Sequence, residues 1–488
     1  MKKLLSLLVA LLLIVGAMAG CAKTPAETDA SPAPDGDTGE PAPAAPQEDT
    51  TVIWYQIGTQ PANLDEAVEK MNEYTSEKIG VKVDLRFYDW GAWETATANM
   101  LNTGEEYDIT FMHTRFFVGN AQQGKFLDIK DLLDSTPDLQ SFIPDALWKA
   151  VTIKGGVYGV PTYKDSAMTQ YVFFDKAMVD KYDIDMDAIH SLTDLDPILR
   201  QIKEGEEAET GSTVYPLPLT KDGIRSFMMY YDNYVKYDDT TGTVTNTYER
   251  PEVIENLKLL HQWWEDGIIN PDASPLGDAP KYRICFVAQA FAGADVQLAA
   301  DRGYDLVMTP ISETMYSTES IQGSINCISA NSKNAEAALK YLELVNTDNT
   351  LRDMLAYGVP DVDFEANGDG TITRLTDTWT APAYSQGTFF AMSPVAPNTP
   401  DQWTMVQAQN DNAVSHVLLG FTLDDTNIST PLVNVNSVIE KYLPEMVTGA
   451  YQGTTDEFMQ KVNDELYEAG LQEVLDETQT QVNDFLGK

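Results

Sequence analysis

The chain reads as an α/β protein of two lobes, and three observations carry that reading. Val52-Ile53-Trp54-Tyr55, then a helical face of Leu64, Val68, Met71 and Thr75, then alternating Val81, Val83, Leu85 and Phe87 spell strand, helix and strand in immediate succession. Such a unit closes as a right-handed parallel crossover and so builds an α/β sheet. The middle of the chain repeats the theme, and residues 51–488 are more than one hydrophobic core normally supports. With 43% hydrophobic and 10% aromatic residues, this body is globular rather than disordered.

Taken in order, Lys2 and Lys3 precede an apolar run, Leu4–Val15, and then Met18-Ala19-Gly20-Cys21. Residues 1–20 have the layout of a secretory signal peptide: basic start, short apolar middle, small residues at the cleavage point. A Cys directly after Ala19-Gly20 matches a lipobox, whose thiol takes fatty acyl chains such as palmitate and becomes the new N-terminus. A soluble secreted protein with a chance Cys is the alternative. The apolar stretch is too short to span a bilayer, which needs ~20 residues, whereas two acyl chains hold a protein to a membrane stably. Residues 21–50 then form a Pro-rich, acidic linker without apolar periodicity.

Order begins at Thr51. After the first crossover, Ile109–Met112 is a third strand of the same sheet. Gln170–Phe174 and Ile284–Gln289 read as strands and Pro251–Trp264 as a helix. Ala335, Leu339, Leu342 and Val345 line another helix, capped near Ser332 or Asn334. At the end, Thr454-Thr455-Asp456-Glu457 offers a capping box, and Phe458, Val462, Leu466, Val474, Val482 and Phe485 supply a buried stripe. Cys285 and Cys327 sit in apolar strands and are expected to be free buried thiols, with a disulfide as the lesser alternative.

The formal net charge of −43 excludes nucleic acid, whose binders need Lys and Arg on the phosphates. It equally opposes adsorption to an anionic membrane surface, so the lipid must do the anchoring. Because the acids are spread along the whole chain, they serve solubility more than any ligand.

Signals for catalysis are absent. His113, His190, His261 and His416 form no H-E-x-x-H arrangement, the cysteines no zinc pair, and no G-x-S-x-G elbow occurs. Gly119–Lys125 nearly spells a phosphate-binding loop, but Phe126 stands where a magnesium-binding hydroxyl is required. Asn367-Gly368-Asp369-Gly370-Thr371-Ile372 copies the middle of a calcium loop. Its first position would be Glu365 and its twelfth Thr376 rather than a bidentate Glu, so a tight hairpin explains it better. Asp89, Glu94 and Asp165 could in principle form a hydrolytic carboxylate pair, but no spacing singles them out. No metal and no cofactor are expected.

Several stretches in order resemble extracellular solute-binding proteins of the maltose-binding-like family 1, in its Gram-positive lipoprotein branch. They are Gly104-Glu-Glu-Tyr-Asp108 through Phe116, Gly155-Gly-Val-Tyr-Gly159 through Asp165, and Trp263-Trp-Glu-Asp266-Gly267 through Pro271. Ile328-Ser-Ala-Asn-Ser332 through Leu339 follows, and then Leu418-Leu-Gly420-Phe421 through Asn434, with Ala469-Gly470-Leu471 and Gln479–Phe485. The resemblance covers most of residues 51–488. It implies a two-lobed, type II periplasmic-binding-protein-like fold with a hinge of three crossings and the ligand in the cleft between the lobes. Lobe 1 would be 51–164 plus 306–349, and lobe 2 165–305 plus 350–488. It further implies a monomeric, lipid-anchored receptor on the extracellular face of the membrane, without catalysis. That receptor would hand an oligosaccharide to the permease subunits of an ABC importer. A peptide or charged-solute receptor on this fold, a secreted glycan hydrolase, and a sensory or adhesive lipoprotein are the rivals.

Sugar binding asks for aromatic faces against ring C–H groups and planar polar groups for hydroxyls. An open α/β sheet binds at its strand carboxyl ends. Gln56 and Thr59 follow the first strand; Arg115 and Phe116 follow the third. Tyr163, Lys164 and Asp165 occupy the first crossing, and Gln289 and Phe291 follow a second-lobe strand. Trp379, Tyr384 and Trp403 lie in a Pro-rich region expected to hang over the cleft. Trp90 and Trp93 read as packing residues. The family's loop usually has an acid before the arginine, where this chain has Thr114, so its hydroxyl recognition is expected to differ.

Overall fold

Thr50–Ile57 and Val81–Tyr88 pair in parallel, residue for residue from Thr50 opposite Val81 to Ile57 opposite Tyr88. Their inward residues Val52, Trp54, Val83 and Leu85 are buried. The computed structural model describes residues 49–225, 231–232, 234–236 and 238–488; the expected signal peptide, Cys21 and nearly all of the 21–50 linker lie outside them. Helix Leu64–Ile79 joins the two strands and buries Leu64, Ala67, Met71 and Thr75. Gly80 ends it at φ 67°, a left-handed conformation that L side chains rarely adopt.

This first sheet has five strands in the order Val81–Tyr88, Thr50–Ile57, Ile109–Met112, Ile325–Ile328, Val160–Pro161. Ile109–Met112 runs parallel to the first strand, and Ile325–Ile328 antiparallel to both of its neighbours. All four residues of Ile109–Met112 are buried, as expected for a strand covered on both faces. Gly119–Lys125 forms no phosphate loop, since helix Thr114–Gln122 runs through most of it and Lys125 Nζ donates to Leu101 O.

A second sheet is antiparallel, with Gln170–Asp175 between Cys285–Gln289 and Leu306–Pro310. Its faces separate with a period of two. Val172 and Phe174 join Leu195, Leu199, Ile202 and Trp263 in one core, while Tyr171 and Phe173 join Phe286 and Leu306 in another. Leu306–Pro310, expected to begin the return to the first lobe, therefore belongs to the second sheet, because Leu306 completes that apolar face. Helix Asn349–Tyr357, expected in the second lobe, instead buries Leu351, Met354 and Leu355 in the first core.

The tail folds as helices Ser429–Thr448, Thr455–Glu468 and Leu471–Leu486. Val435, Met446, Val462 and Leu466 pack with Val253 and Leu257 of helix Pro251–Glu265. Thr454 and Glu457 form the expected reciprocal capping box. Gly470 breaks the last two helices apart at φ 104°, where a Cβ would meet Pro431 Cβ at 2.8 Å. Phe485, expected in the buried stripe, is 40% exposed because it reaches beyond this core towards Phe421. Cys285 and Cys327 are free, buried and in different sheets. Phe364–Ala366 and Ile372–Arg374 make the tight hairpin, with Asp369 accepting from Thr371.

Asp363 ties this hairpin segment to the first helix. It accepts from Asn63 Nδ2 at 2.6 Å, Val359 N at 2.8 Å and Thr376 Oγ1 at 2.7 Å. Burial pushes its carboxyl up, but these hydrogen bonds outweigh burial and hold it below the ordinary 3.8. A depressed folded-state pKa gives stability present above the unfolded value and lost as pH falls through the folded one. Asp363→Asn is therefore expected to destabilise by about 1–3 kcal/mol at pH 7. Urea midpoints should show the gap to wild type narrowing below about pH 4.

Candidate functional site

The carboxyl ends of the first sheet carry a graded stack of aromatic rings. Ile57, Trp93 and Phe111 form a small core of their own, flanked by Tyr88, Phe116 and Tyr384. Trp93 stacks on His113 at 4.9 Å and meets Phe111 and Phe116 edge-on. Above this base stands Trp90, 49% exposed, stacked with Tyr384 at 6.4 Å and 27°. Tyr384 in turn meets Phe111 edge-on at 6.3 Å. Asp89 sets Trp90 in place: its carbonyl accepts from Ala92 and Trp93 N–H, and its carboxylate from Gly91 N and Thr59 Oγ1. The result is an exposed indole face on a rigid support. Burial pushes the Tyr384 phenol up, so it stays protonated, able to donate and accept.

Tyr384 comes from a loop far along the chain, and buried polar groups hold that loop to the sheet. Asn326 Nδ2 donates to Ser385 O and Gln386 O, and Ser324 Oγ to Tyr384 O at 2.8 Å. Ser385 Oγ donates to Gln56 Oε1 at 2.6 Å, and Gln56 Nε2 to Asn326 Oδ1. From helix Asn349–Tyr357, the fully buried Arg352 donates to Thr388 O, Gln386 Oε1, Ala383 O and Gly387 O. Gln56, expected to touch ligand, is thus a buried brace, because both ends of its amide are spent on this lattice.

The crossing Tyr163–Thr169 joins the carboxyl end of Val160–Pro161 to the start of Gln170–Asp175, so the two sheets meet at it. Tyr163 is 2% exposed, wedged between Phe142 and Phe390, and so serves packing rather than contact. Lys164 and Asp165 pair at 2.7 Å. Helix Gln402–Asp411 clamps this crossing. Asn410 bonds Lys164 O and Ala167 N, while Gln409 bonds Thr169, Tyr171 and Ala292.

On the second sheet Gln289 lies opposite Gln170 and is exposed. With Asp222, Gly223 and Arg225 these residues line a cavity of about 310 Å³. Arg225 Nη2 pairs with Asp222 Oδ1 at 2.9 Å. Phe291 packs against Trp403, which also meets Phe389. Trp379 falls inside the first core at 1% exposure, its Nε1 donating to Leu355 O at 3.0 Å, and does not overhang the cleft. Arg115 lies in the first turn of helix Thr114–Gln122.

Of the expected ligand residues, Thr59, Phe116 and Tyr384 gather around the segment Asp89–Trp93, while Gln289, Phe291 and Trp403 border the second sheet. Trp90, expected to pack, stands half exposed, and Asp222 and Arg225 were not among the expected residues. The signal for Trp90 was its place just after a parallel strand, the same rule that selected Gln56 and Arg115.

The model of the bacterial extracellular solute-binding proteins matches residues 69–360, more than half of the chain. The chain belongs to that family. Residues 417–487 match a domain of unknown function. Among relatives, a carbohydrate ABC transporter substrate-binding protein of Streptococcus pneumoniae is 28% identical, over 92% of this chain and 94% of the relative. Among solved structures, the N-glycan transport solute-binding protein NgtS of the same organism is 26% identical, covering 90% of this chain and all of its own, with a TM-score of 0.81. Its complexes with Man1GlcNAc and Man5GlcNAc give 0.72 and 0.68. The two-sheet body of this solute-binding protein thus has the family's two-lobed fold.

Proposed function

We propose that this chain is the extracellular substrate-binding subunit of an ABC importer, anchored by acylated Cys21, and that it binds an oligosaccharide between its lobes. The observation that carries this reading is the exposed Trp90 face, backed by Tyr384, at the strand carboxyl ends of a chain whose relatives are carbohydrate-binding transporter components. An indole half open to solvent, with a rigid aromatic base beneath it, suits the apolar face of a sugar ring. Asp222, Arg225 and Gln289 supply hydroxyl partners from the second lobe. The lobes meet at crossings near Tyr163–Thr169, between Pro310 and Ile325, and beyond Tyr357. Binding, without catalysis, is the role, as for the transporter components the chain resembles; Asp89 and Asp165 are engaged by Thr59, Gly91 and Lys164.

A thermal-shift panel on residues 51–488 tests this reading. Mannose- and N-acetylglucosamine-containing oligosaccharides, of the class bound by NgtS, should stabilise the protein by about 2.7 kcal/mol at one hundred times the dissociation constant. Peptides should not, and the sugar should be recovered intact after prolonged incubation. Stabilisation by peptides alone, or cleavage of the sugar, would overturn the proposal.

A further inference from the structure

A cavity of about 560 Å³ lies away from the aromatic wall. Its walls come from the first lobe (Gln122, Lys149, Lys154) and from the tail matched to the domain of unknown function (Phe421, Gln481, Phe485). Lys149 to Gly155 precede Val160–Pro161, whose carboxyl end borders the ligand wall, and Gln122 ends the helix that starts beside that wall. The cavity therefore sits towards the opposite end of the first sheet from Trp90.

The tail touches both lobes, but unequally. Its three helices are fixed to second-lobe helix Pro251–Glu265 through a shared apolar core. Its entry is tied to the region between the lobes, where Val414–Ser415 pairs with Met315–Tyr316 and Thr318 Oγ1 bonds both Leu418 O and Gly420 N. Gly420, at φ 90°, lies against Lys149, where a Cβ would meet Lys149 Cγ at 3.0 Å. Beyond that point the tail meets the first lobe through a cation over a ring, Lys149 Nζ at 5.9 Å from Phe485, with Phe485 edge-on to Phe421 at 5.6 Å, and through the charge of Lys154 near Asp424. Phe485 is 40% exposed, at the rim of this cavity. A tail that shares a core with one lobe, inserts Leu419 into the core of the other at the pivot 414–420, and beyond it meets that lobe through a partly exposed ring is built as a lever.

We propose that residues 417–487 form a strut that sets how far the lobes open, with Phe485 on Lys149 as its latch. This rests on the oligosaccharide-receptor reading above. Because the latch lies across the pivot from the ligand wall, closing the cleft separates Phe485 from Lys149, and keeping them together holds the cleft open. A contact made only in the open state lowers apparent affinity by the factor with which it depopulates the closed state.

The test uses the full mature chain with Phe485→Ala, Lys149→Ala and Lys149→Met. Calorimetric titration with the Man1GlcNAc disaccharide should show affinity tightened about two- to five-fold, the range of one partly exposed cation–ring contact. Spin labels at Glu77→Cys and Glu204→Cys, one exposed site on each lobe, read the opening without sugar. Their distance distribution should move towards the sugar-bound one in each latch variant. Unchanged distances in variants with native melting would overturn the strut, as would weakened affinity. Wild type that binds no sugar would instead sink the receptor reading, while the label distances still decide the strut. Should Phe485→Ala unfold, Lys149→Met keeps the tail core intact and decides alone.

Discussion

Trp90→Ala is expected to reduce oligosaccharide affinity about 30- to 150-fold, some 2–3 kcal/mol, while leaving the protein as stable as wild type within about 0.5 kcal/mol. The asymmetry follows from where the ring sits. At 49% exposure it gives up little buried area on truncation, and its backbone turn is held by Asp89 independently of the indole. A ligand covering that face would bury most of what remains exposed, and aromatic anchors at the centre of a site dominate binding energy. Trp90→Phe should recover part of the loss, since stacking needs a ring face more than an indole N–H. Isothermal titration with a bound oligosaccharide and a urea melt of each variant measure both halves. A variant that binds normally would mean that the ligand lies on the second-lobe side alone, over Gln289 and Arg225.

How much of this was legible before the fold was known depends on the range of the interactions that decide each residue. Thr454 and Glu457 are three residues apart, so their capping box could be read directly and is present. The strand–helix–strand opening was equally local, because periods of 2 and 3.6 are properties of a short window. Leu306–Pro310 was misassigned, because an apolar run of five does not state which sheet it completes; that was decided by Tyr171, Phe173 and Phe286 across the second sheet. The site was harder still. Gln56 lies at the carboxyl end of one strand of the first sheet and Trp90 just after another, yet one is fully buried and the other half exposed. The difference lies in Ser385 and Asn326, which reach Gln56 from hundreds of residues away. Trp379 and Tyr384 share one Pro-rich stretch, and only the anchoring of Ala383–Thr388 by another helix separates a core ring from one stacked on the half-exposed Trp90.

That anchoring makes Arg352→Met the substitution with the largest expected effect on the fold. Arg352 is fully buried and donates at 2.7 Å to Thr388 O, 3.1 Å to Gln386 Oε1, and 2.7 and 3.2 Å to Ala383 O and Gly387 O. Burial pushes its guanidinium down to about 10, partly offset by Tyr357 and Asp353, so it remains charged at neutral pH. Methionine fills the volume but leaves these acceptors without a partner in a dry interior. The expected loss is about 3–5 kcal/mol of unfolding free energy, with Arg352→Lys intermediate because an ammonium cannot span the fork. Neighbouring Asp353 supplies a pH signature. Burial raises its carboxyl above 3.8, and Arg352 opposes that rise. A raised folded-state pKa favours folding below the unfolded value and loses that contribution as pH climbs through the folded one. Without Arg352 the rise is larger, so the deficit of Arg352→Met should widen between pH 4 and 7. Tyr384 rides on the loop that Arg352 pins, so sugar affinity should fall even under conditions where the variant is fully folded. A variant within about 1 kcal/mol of wild type that also binds normally would show that Ser324 and Asn326 suffice to hold the loop, since either partner set alone would then carry the few kcal/mol that positioning requires.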